Sequence, residues 1–201
     1  MDLKKALVVG AGGMIGKALC KALERAGYEV RGTTRAELNL MALPDDISRS
    51  LGFSPDVVYL CAAMTRFIDC EQDRHAYEVN VDAPLEIARQ LGYARIVYLS
   101  SEAVERALHT NYGMHKALCE IGLRAIGSPV IARLAKVDPW SLEQCCEWLV
   151  WLAEPAVRRG VYRWHSWDEP MQTMKFRPVR GGLLTEALVR DGIIELGPRK
   201  T

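Results

Sequence analysis

Three side chains have the types needed to pass a proton to or from an oxygen atom: Ser101, Tyr112 and Lys116. Tyr112 and Lys116 stand four apart in Tyr112-Gly113-Met114-His115-Lys116, so both fall on one face of a helix. A free phenol ionises near pH ~10, too high for useful acid–base work at neutrality, and a cation beside it favours the phenolate. Lys116 is expected to be that cation. His115 points in a different helical direction and reads as a structural bystander. Ser101 precedes Tyr112 by eleven residues and closes the run Ile96-Val97-Tyr98-Leu99-Ser100-Ser101.

A second group is Gly10-Ala11-Gly12-Gly13-Met14-Ile15-Gly16, which places glycines at 10, 13 and 16. A glycine at a strand end permits a tight turn, the next lets backbone N–H groups approach a pyrophosphate, and the third lets helix pack closely on strand. The helix N-terminus then adds partial positive charge for the anion. The string lies between the apolar run Ala6-Leu7-Val8-Val9 and a helical pattern of Ile15, Ala18, Leu19, Ala22, Leu23 and Ala26, the context a dinucleotide needs. The next strand ends in Arg31-Gly32-Thr33-Thr34-Arg35, where NAD-binding proteins usually hold the ribose 2′-hydroxyl with a carboxylate. No carboxylate is seen at that point. Arg35, with Thr34 and Arg31, offers donors suited to a 2′-phosphate, so NADP(H) is favoured over NAD(H).

These groups need a scaffold. Gly27 sits where a helix end wants a left-handed residue, and Tyr28-Glu29-Val30-Arg31 resumes an extended pattern, completing a strand–helix–strand unit. Further strands are expected at 57–60, 96–99, 130–132 and 160–164, with helices around 72–91 and 112–126. Pro84 should kink or restart the first of these. Ser141-Leu142-Glu143-Gln144 has the form of a capping box, opening a helix that carries Trp148 and Trp151 until Pro155. A last helix is expected within 180–192. Strands alternating with helices imply an α/β Rossmann-type doubly wound parallel sheet with helices on both faces.

At 201 residues one domain is the default. It divides into a core at 1–137 that binds the cofactor and a reduced C-terminal region at 138–201 packed on it. The 26 basic and 25 acidic side chains nearly cancel, so neither nucleic acid nor an anionic membrane is an expected partner. The N-terminal residues resemble no signal peptide, and a cytoplasmic protein is expected. Six cysteines lie mostly among apolar neighbours and read as reduced thiols. Cys145, Cys146 and His165 are the alternative, a zinc site, but adjacent cysteines make poor tetrahedral ligands and no metal is expected.

Together, the glycine turn and the Ser101, Tyr112, Lys116 set resemble the short-chain dehydrogenase/reductase superfamily, most closely its extended, nucleotide-sugar branch of dTDP-4-dehydrorhamnose reductase-like proteins. The resemblance covers roughly 5–137. It implies that Tyr112 exchanges a proton with a substrate carbonyl or hydroxyl as hydride passes to or from the nicotinamide, that Ser101 holds that oxygen, and that Lys116 also binds the nicotinamide ribose. By the same resemblance Gly10, Gly13, Met14, Ile15, Gly16, Thr34 and Arg35 hold the cofactor. Asn39, where relatives carry an aspartate, and Leu40 line the adenine, and Ala62 and Ala63 pass beneath the cofactor. Tyr77-Glu78-Val79-Asn80-Val81-Asp82 matches the segment bearing the family's helix asparagine, and Arg133 its arginine-bearing strand end. The implied function is reduction or epimerisation of a sugar nucleotide or similar polar substrate by a homodimer; the alternative is a catalytically silent NAD(P)-binding regulatory or interaction protein. Two departures stand out: the interval from Ser101 to Tyr112 is short, and Ala103 replaces the dehydratases' glutamate.

Overall fold

The computed structural model describes residues 3–164 and 193–195. Seven strands, β1 (Lys5–Val9), β2 (Glu29–Thr33), β3 (Val57–Leu60), β4 (Arg95–Ser101), β5 (Val130–Leu134), β6 (Gly160–Trp164) and β7 (Ile193–Glu195), form one sheet in the order β2-β1-β3-β4-β5-β6-β7. Every neighbouring pair is parallel. Such a sheet must be covered on both faces, which is why β3 reads Val57-Val58-Tyr59-Leu60 and is buried throughout.

Helices α1 (Met14–Arg25) and α7 (Leu142–Leu152) cover one face, their Leu19, Leu23, Trp148 and Leu149 packing on Val8, Tyr59, Val97 and Ala132. Helices α2 (Ile47–Leu51), α4 (Ala83–Gln90) and α6 (Asn111–Ile126) cover the other, where Ile47, Ile87 and Leu123 meet Leu7, Val58 and Ile131. Alternation along each strand sends neighbouring residues to opposite cores. The doubly wound Rossmann-type fold read from the sequence is the fold observed.

Helix α1 ends as expected. Gly27 has φ +84°, its N–H donates to the Glu24 carbonyl, and the Tyr28 N–H donates to that of Leu23, the paired bonds of a left-handed helix stop. Two other expectations are corrected. The helix expected over 72–91 is broken: α3 (Phe67–Gln72) stands apart, and a π-helical turn at Glu78–Asp82 leads into α4. Pro84, in the first turn of α4, lacks the N–H that would close the preceding turn, and the backbone widens there. Ser141 is no cap: its backbone is helical and its hydroxyl donates to the Asp138 carbonyl at 3.1 Å, so the capping box does not form. The helix expected within 180–192, and His165, lie outside the described residues.

Candidate active site

The C-terminal ends of β1, β2, β3 and β4 lie along one edge of the sheet, and the strand order reverses between β1 and β3. Ligands of open α/β sheets bind in the crevice at such a point. The glycine turn occupies it. Gly10 has φ +94°, and a Cβ there would stand 2.7 Å from the Ala62 nitrogen, so a side chain is excluded twice over. A Cβ on Gly16 would come within 2.2 Å of the Gly10 carbonyl oxygen. Gly13 is different: a Cβ would meet nothing nearer than that same oxygen at 3.5 Å. Two glycines are thus demanded by the protein's own backbone, while Gly13 leaves room outside it, at the mouth of α1. Gly13 is the N-cap of α1, and neither a capping side chain nor an acidic residue occupies the first turn, so the Met14 and Ile15 N–H groups that open the helix have no partner within it.

The end of β2 is joined to the turn by Gly10 and Ala11 N–H groups donating to the Thr33 carbonyl at 3.0 and 2.9 Å. The Thr33 hydroxyl is buried there without a hydrogen-bond partner. Thr34 and Arg35 follow, both exposed, as is Asn39, whose side-chain oxygen accepts from the Met41 N–H; Leu40 packs partly into the second core. The expectation that no carboxylate stands at this point is corrected. Glu37 folds back, accepting hydrogen bonds from the Thr34 N–H at 2.9 Å and the Thr34 hydroxyl at 3.1 Å, and lies 3.5 Å from Arg31. The Thr34-x-x-Glu37 spacing is a capping-box pattern and was the signal available in the sequence.

After β3 the chain passes through Cys61, Ala62 and Ala63 at the foot of the crevice, with the Cys61 and Ala62 N–H groups donating to Val9. Asn80, buried in the π-helical turn, clamps the backbone of Met64: its oxygen accepts from the Met64 N–H at 2.8 Å and its amide donates to the Met64 carbonyl at 3.0 Å.

The short interval after β4 suffices to bring Ser101 to Tyr112. Helix α5 (Ala103–Arg106) fills it and packs on α6 so closely that a Cβ on Gly113 would stand 2.2 Å from the Ala107 carbonyl oxygen. Thr110 caps α6 by accepting from the Gly113 N–H, and Asn111 ties the helix to α3 through Glu71 and Cys70. Ser101 accepts from the Ala103 N–H at 3.2 Å, and its side chain adjoins the Tyr112 phenol. Phe67 meets the Tyr112 ring edge-on at 5.5 Å between centroids.

The electrostatics differ from the expectation. Burial pushes the Tyr112 phenol above its ordinary range, partly opposed by the Ser101 side chain beside it. Lys116 does not offset this. Its ammonium is buried, donates to the Leu99 carbonyl at 2.8 Å, and lies 4.7 Å from the Tyr98 ring centroid and 5.9 Å from that of Tyr112. Desolvation pulls it down to about 8. A buried ammonium must find an acceptor, and the nearest strand carbonyl supplies one. Tyr112 is therefore a neutral phenol, suited to giving a proton rather than taking one. His115 is buried against Tyr77, and burial holds it below the usual imidazole range.

Comparison with known proteins gives this arrangement a family. The profile described as RmlD substrate binding domain matches residues 4–114, from β1 through Tyr112. The chain belongs to that family. It is 40% identical over 80 residues to the spore coat polysaccharide biosynthesis protein SpsK of Bacillus subtilis, 39% of this chain and 28% of that protein. The Bacillus anthracis dTDP-4-dehydrorhamnose reductase in complex with NADP superposes with a TM-score of 0.59 at 20% identity, over 67% of this chain and 54% of that one. The Bordetella bronchiseptica enzyme WbmG in complex with NAD gives 0.61 at 17%, over 81% and 72%. The chain therefore spans about a quarter of SpsK and about half of the Bacillus anthracis reductase.

The matched residues stop short of Glu120 and Arg133, the centre of a network that sequence reasoning did not assemble. Glu120, buried one turn beyond Lys116, accepts from the Ser100 hydroxyl at 2.6 Å and from Arg133 through Nε at 2.9 Å and Nη2 at 2.7 Å. Glu105 bridges Arg133 and Arg163, which are neighbours on β5 and β6. The i, i+4, i+8 spacing of Tyr112, Lys116 and Glu120 was the available signal. Among the described residues no cluster of His, Cys, Asp or Glu could hold a metal ion. Cys145 and Cys146 are buried, and burial raises both thiols. Nor, among the described residues, is any helix long and apolar enough to cross a membrane.

Proposed function

We propose that this chain is a nicotinamide-dependent oxidoreductase of the reductase or epimerase type, acting on a carbonyl or hydroxyl of a sugar nucleotide or similar polar substrate, with NADP(H) favoured over NAD(H). The observation carrying this is the meeting of the Ser101 and Tyr112 side chains at the sheet edge that holds the glycine turn. The crevice fits a dinucleotide: Gly13 leaves room for a pyrophosphate against the N–H groups of Met14 and Ile15, and small residues at 62 and 63 line its floor. Thr34 and Arg35 support the phosphorylated cofactor, since among the described residues Arg35 has no carboxylate partner. Asn39 and Leu40 are the proposed adenine contacts.

When bound, the nicotinamide supplies or accepts the hydride. Tyr112 passes its phenolic proton to the substrate oxygen in reduction and takes one from the hydroxyl in oxidation. Ser101, held by the Ala103 N–H, donates a hydrogen bond to that oxygen and fixes its position. Lys116 is the proposed ribose anchor, its ammonium exchanging the Leu99 carbonyl for a ribose hydroxyl. The C-terminal region, 138–201, works as one unit with the core. A second copy is proposed to dock on α6, where Met114, Leu118 and Ile121 are exposed at one-turn spacing.

Replacing Tyr112 by Phe removes only the proton donor. Turnover on sugar nucleotides is expected to fall by about 10²–10⁴ while NADPH affinity stays within about twofold, read by stopped assays and fluorescence titration. The rival reading, binding without chemistry, draws on the burial of Tyr112 beneath Phe67. Equal turnover in Tyr112→Phe removes the assigned donor, and no turnover by the native chain on a panel of sugar nucleotides favours the rival.

A further inference from the structure

The turn after β2 contains an anion seat already filled from within the chain. A backbone N–H and a hydroxyl of Thr34 both point at one oxygen of Glu37, and the Arg31 guanidinium faces the other at 3.5 Å. An amide, a hydroxyl and a guanidinium converging on two oxygens is the donor set that receives a phosphate monoester. The turn closes beneath it, with the Glu37 and Leu38 N–H groups donating to the Thr34 carbonyl at 3.1 and 2.9 Å. The Thr34 donors hold the Glu37 carboxyl below its ordinary range, so the seat is filled by an anion at neutral pH.

We propose that Glu37 is a specificity-determining residue of the cofactor site: its carboxylate stands in the seat of a 2′-phosphate, accepts the ribose 2′-hydroxyl of NAD(H), and must leave before NADP(H) can bind. This rests on the dinucleotide reading given above. Three features support it. The seat follows the glycine turn at the end of β2, where dinucleotide folds read the 2′ position. Two anions cannot share one set of donors without repulsion, so phosphate and carboxylate compete. Glu37 is exposed and carried on a turn, so rotating out asks only that its two Thr34 bonds and its Arg31 pair be exchanged. Native affinity for NADP(H) is accordingly lower than Thr34, Arg31 and Arg35 could deliver, and the margin over NAD(H) is narrow.

A purely structural role is distinguishable. If Glu37 only braces the turn, removing it loosens the whole adenosine end and weakens both cofactors alike. Wild type, Glu37→Gln and Glu37→Ala are titrated with NADPH and NADH, following nucleotide fluorescence, and separately with adenosine 2′,5′-bisphosphate and AMP by calorimetry. The expected result is a fall of about tenfold in the NADPH and bisphosphate Kd in both variants, with the NADH Kd rising or unchanged. A parallel change for both nucleotides, or an unmoved ratio, overturns the inference and leaves the dinucleotide reading intact. Failure of the native chain to bind either dinucleotide sinks both.

Discussion

At the glycine turn side chains are missing so that backbone can meet backbone, whereas at Tyr112 and Lys116 large polar side chains are driven in where water does not follow. Gly10 and Gly16 are held to glycine by contacts of 2.7 and 2.2 Å that any Cβ would make with main-chain atoms. Lys116 is 3% exposed and Tyr112 9%. The first region is determined sterically and costs little to desolvate. The second carries an electrostatic penalty in the resting fold, of the kind active sites keep because the charged or proton-bearing group is needed there. One half of the site stabilises the protein, and the other works against it.

Substitutions that add or remove the deciding feature of each half sharpen this contrast. The largest effect is expected at the steric half. Gly16→Val forces two methyls against the Gly10 carbonyl and Ala11, where even one Cβ does not fit. It is expected to cost about 3 kcal/mol, read as a lower midpoint in urea denaturation. A variant as stable as wild type would show that the turn relaxes freely, and the claim that backbone contact fixes these glycines would be lost.

At the electrostatic half the expected sign is opposite. Burial lowers Lys116 from its ordinary 10.5 to about 8, so the unfolded chain binds that proton more tightly than the folded one. Stability therefore rises with pH between about 8 and 10.5 and carries the full penalty below that window. Lys116→Met, which keeps the stem and discards the charge, is expected to be more stable than wild type at pH 7 by on the order of 2 kcal/mol. The difference should shrink as pH climbs toward 10. Denaturation curves at pH 7, 8.5 and 10 read it directly; a variant less stable at pH 7 would mean that the Leu99 and aromatic contacts outweigh desolvation.

The same division explains what could be read from the sequence. Spacing determines steric features, so the strands, the glycine turn and the left-handed stop at Gly27 were legible from periodicity and residue type. The Tyr-Lys face was legible too, but not the direction in which Lys116 points, because that depends on the Leu99 carbonyl and on water being excluded by residues from other strands. Glu37 escapes such a reading for a related reason: a carboxylate is expected at the end of β2 itself, while the turn brings one back from three residues beyond Thr34. Ser141 shows the converse, a motif whose local pattern was satisfied but whose hydroxyl took the Asp138 carbonyl instead. The Glu120 network joins three strands to two helices, and such pairings emerge only when the sheet order is known.

The smallest stability effect is expected at Gly13, and it separates the two reasons a glycine is kept. Gly13 has φ −76° and ψ 166°, a backbone any residue adopts, and a Cβ there would find only ordinary contact at 3.5 Å. Gly13→Ala should therefore change stability by no more than about 0.5 kcal/mol, and the narrower unfolded ensemble of alanine even favours folding. Yet the added methyl stands at the mouth of α1, beside the N–H groups that a pyrophosphate would need. Dinucleotide affinity is expected to fall by about tenfold or more, because a phosphate held off by one methyl loses its short charge-assisted bonds. Thermal melts and a fluorescence titration on the same preparation test both halves at once. Unchanged affinity would mean that the space over Gly13 is not where the phosphates lie, and a large loss of stability would mean that the turn is packed there as tightly as at Gly16.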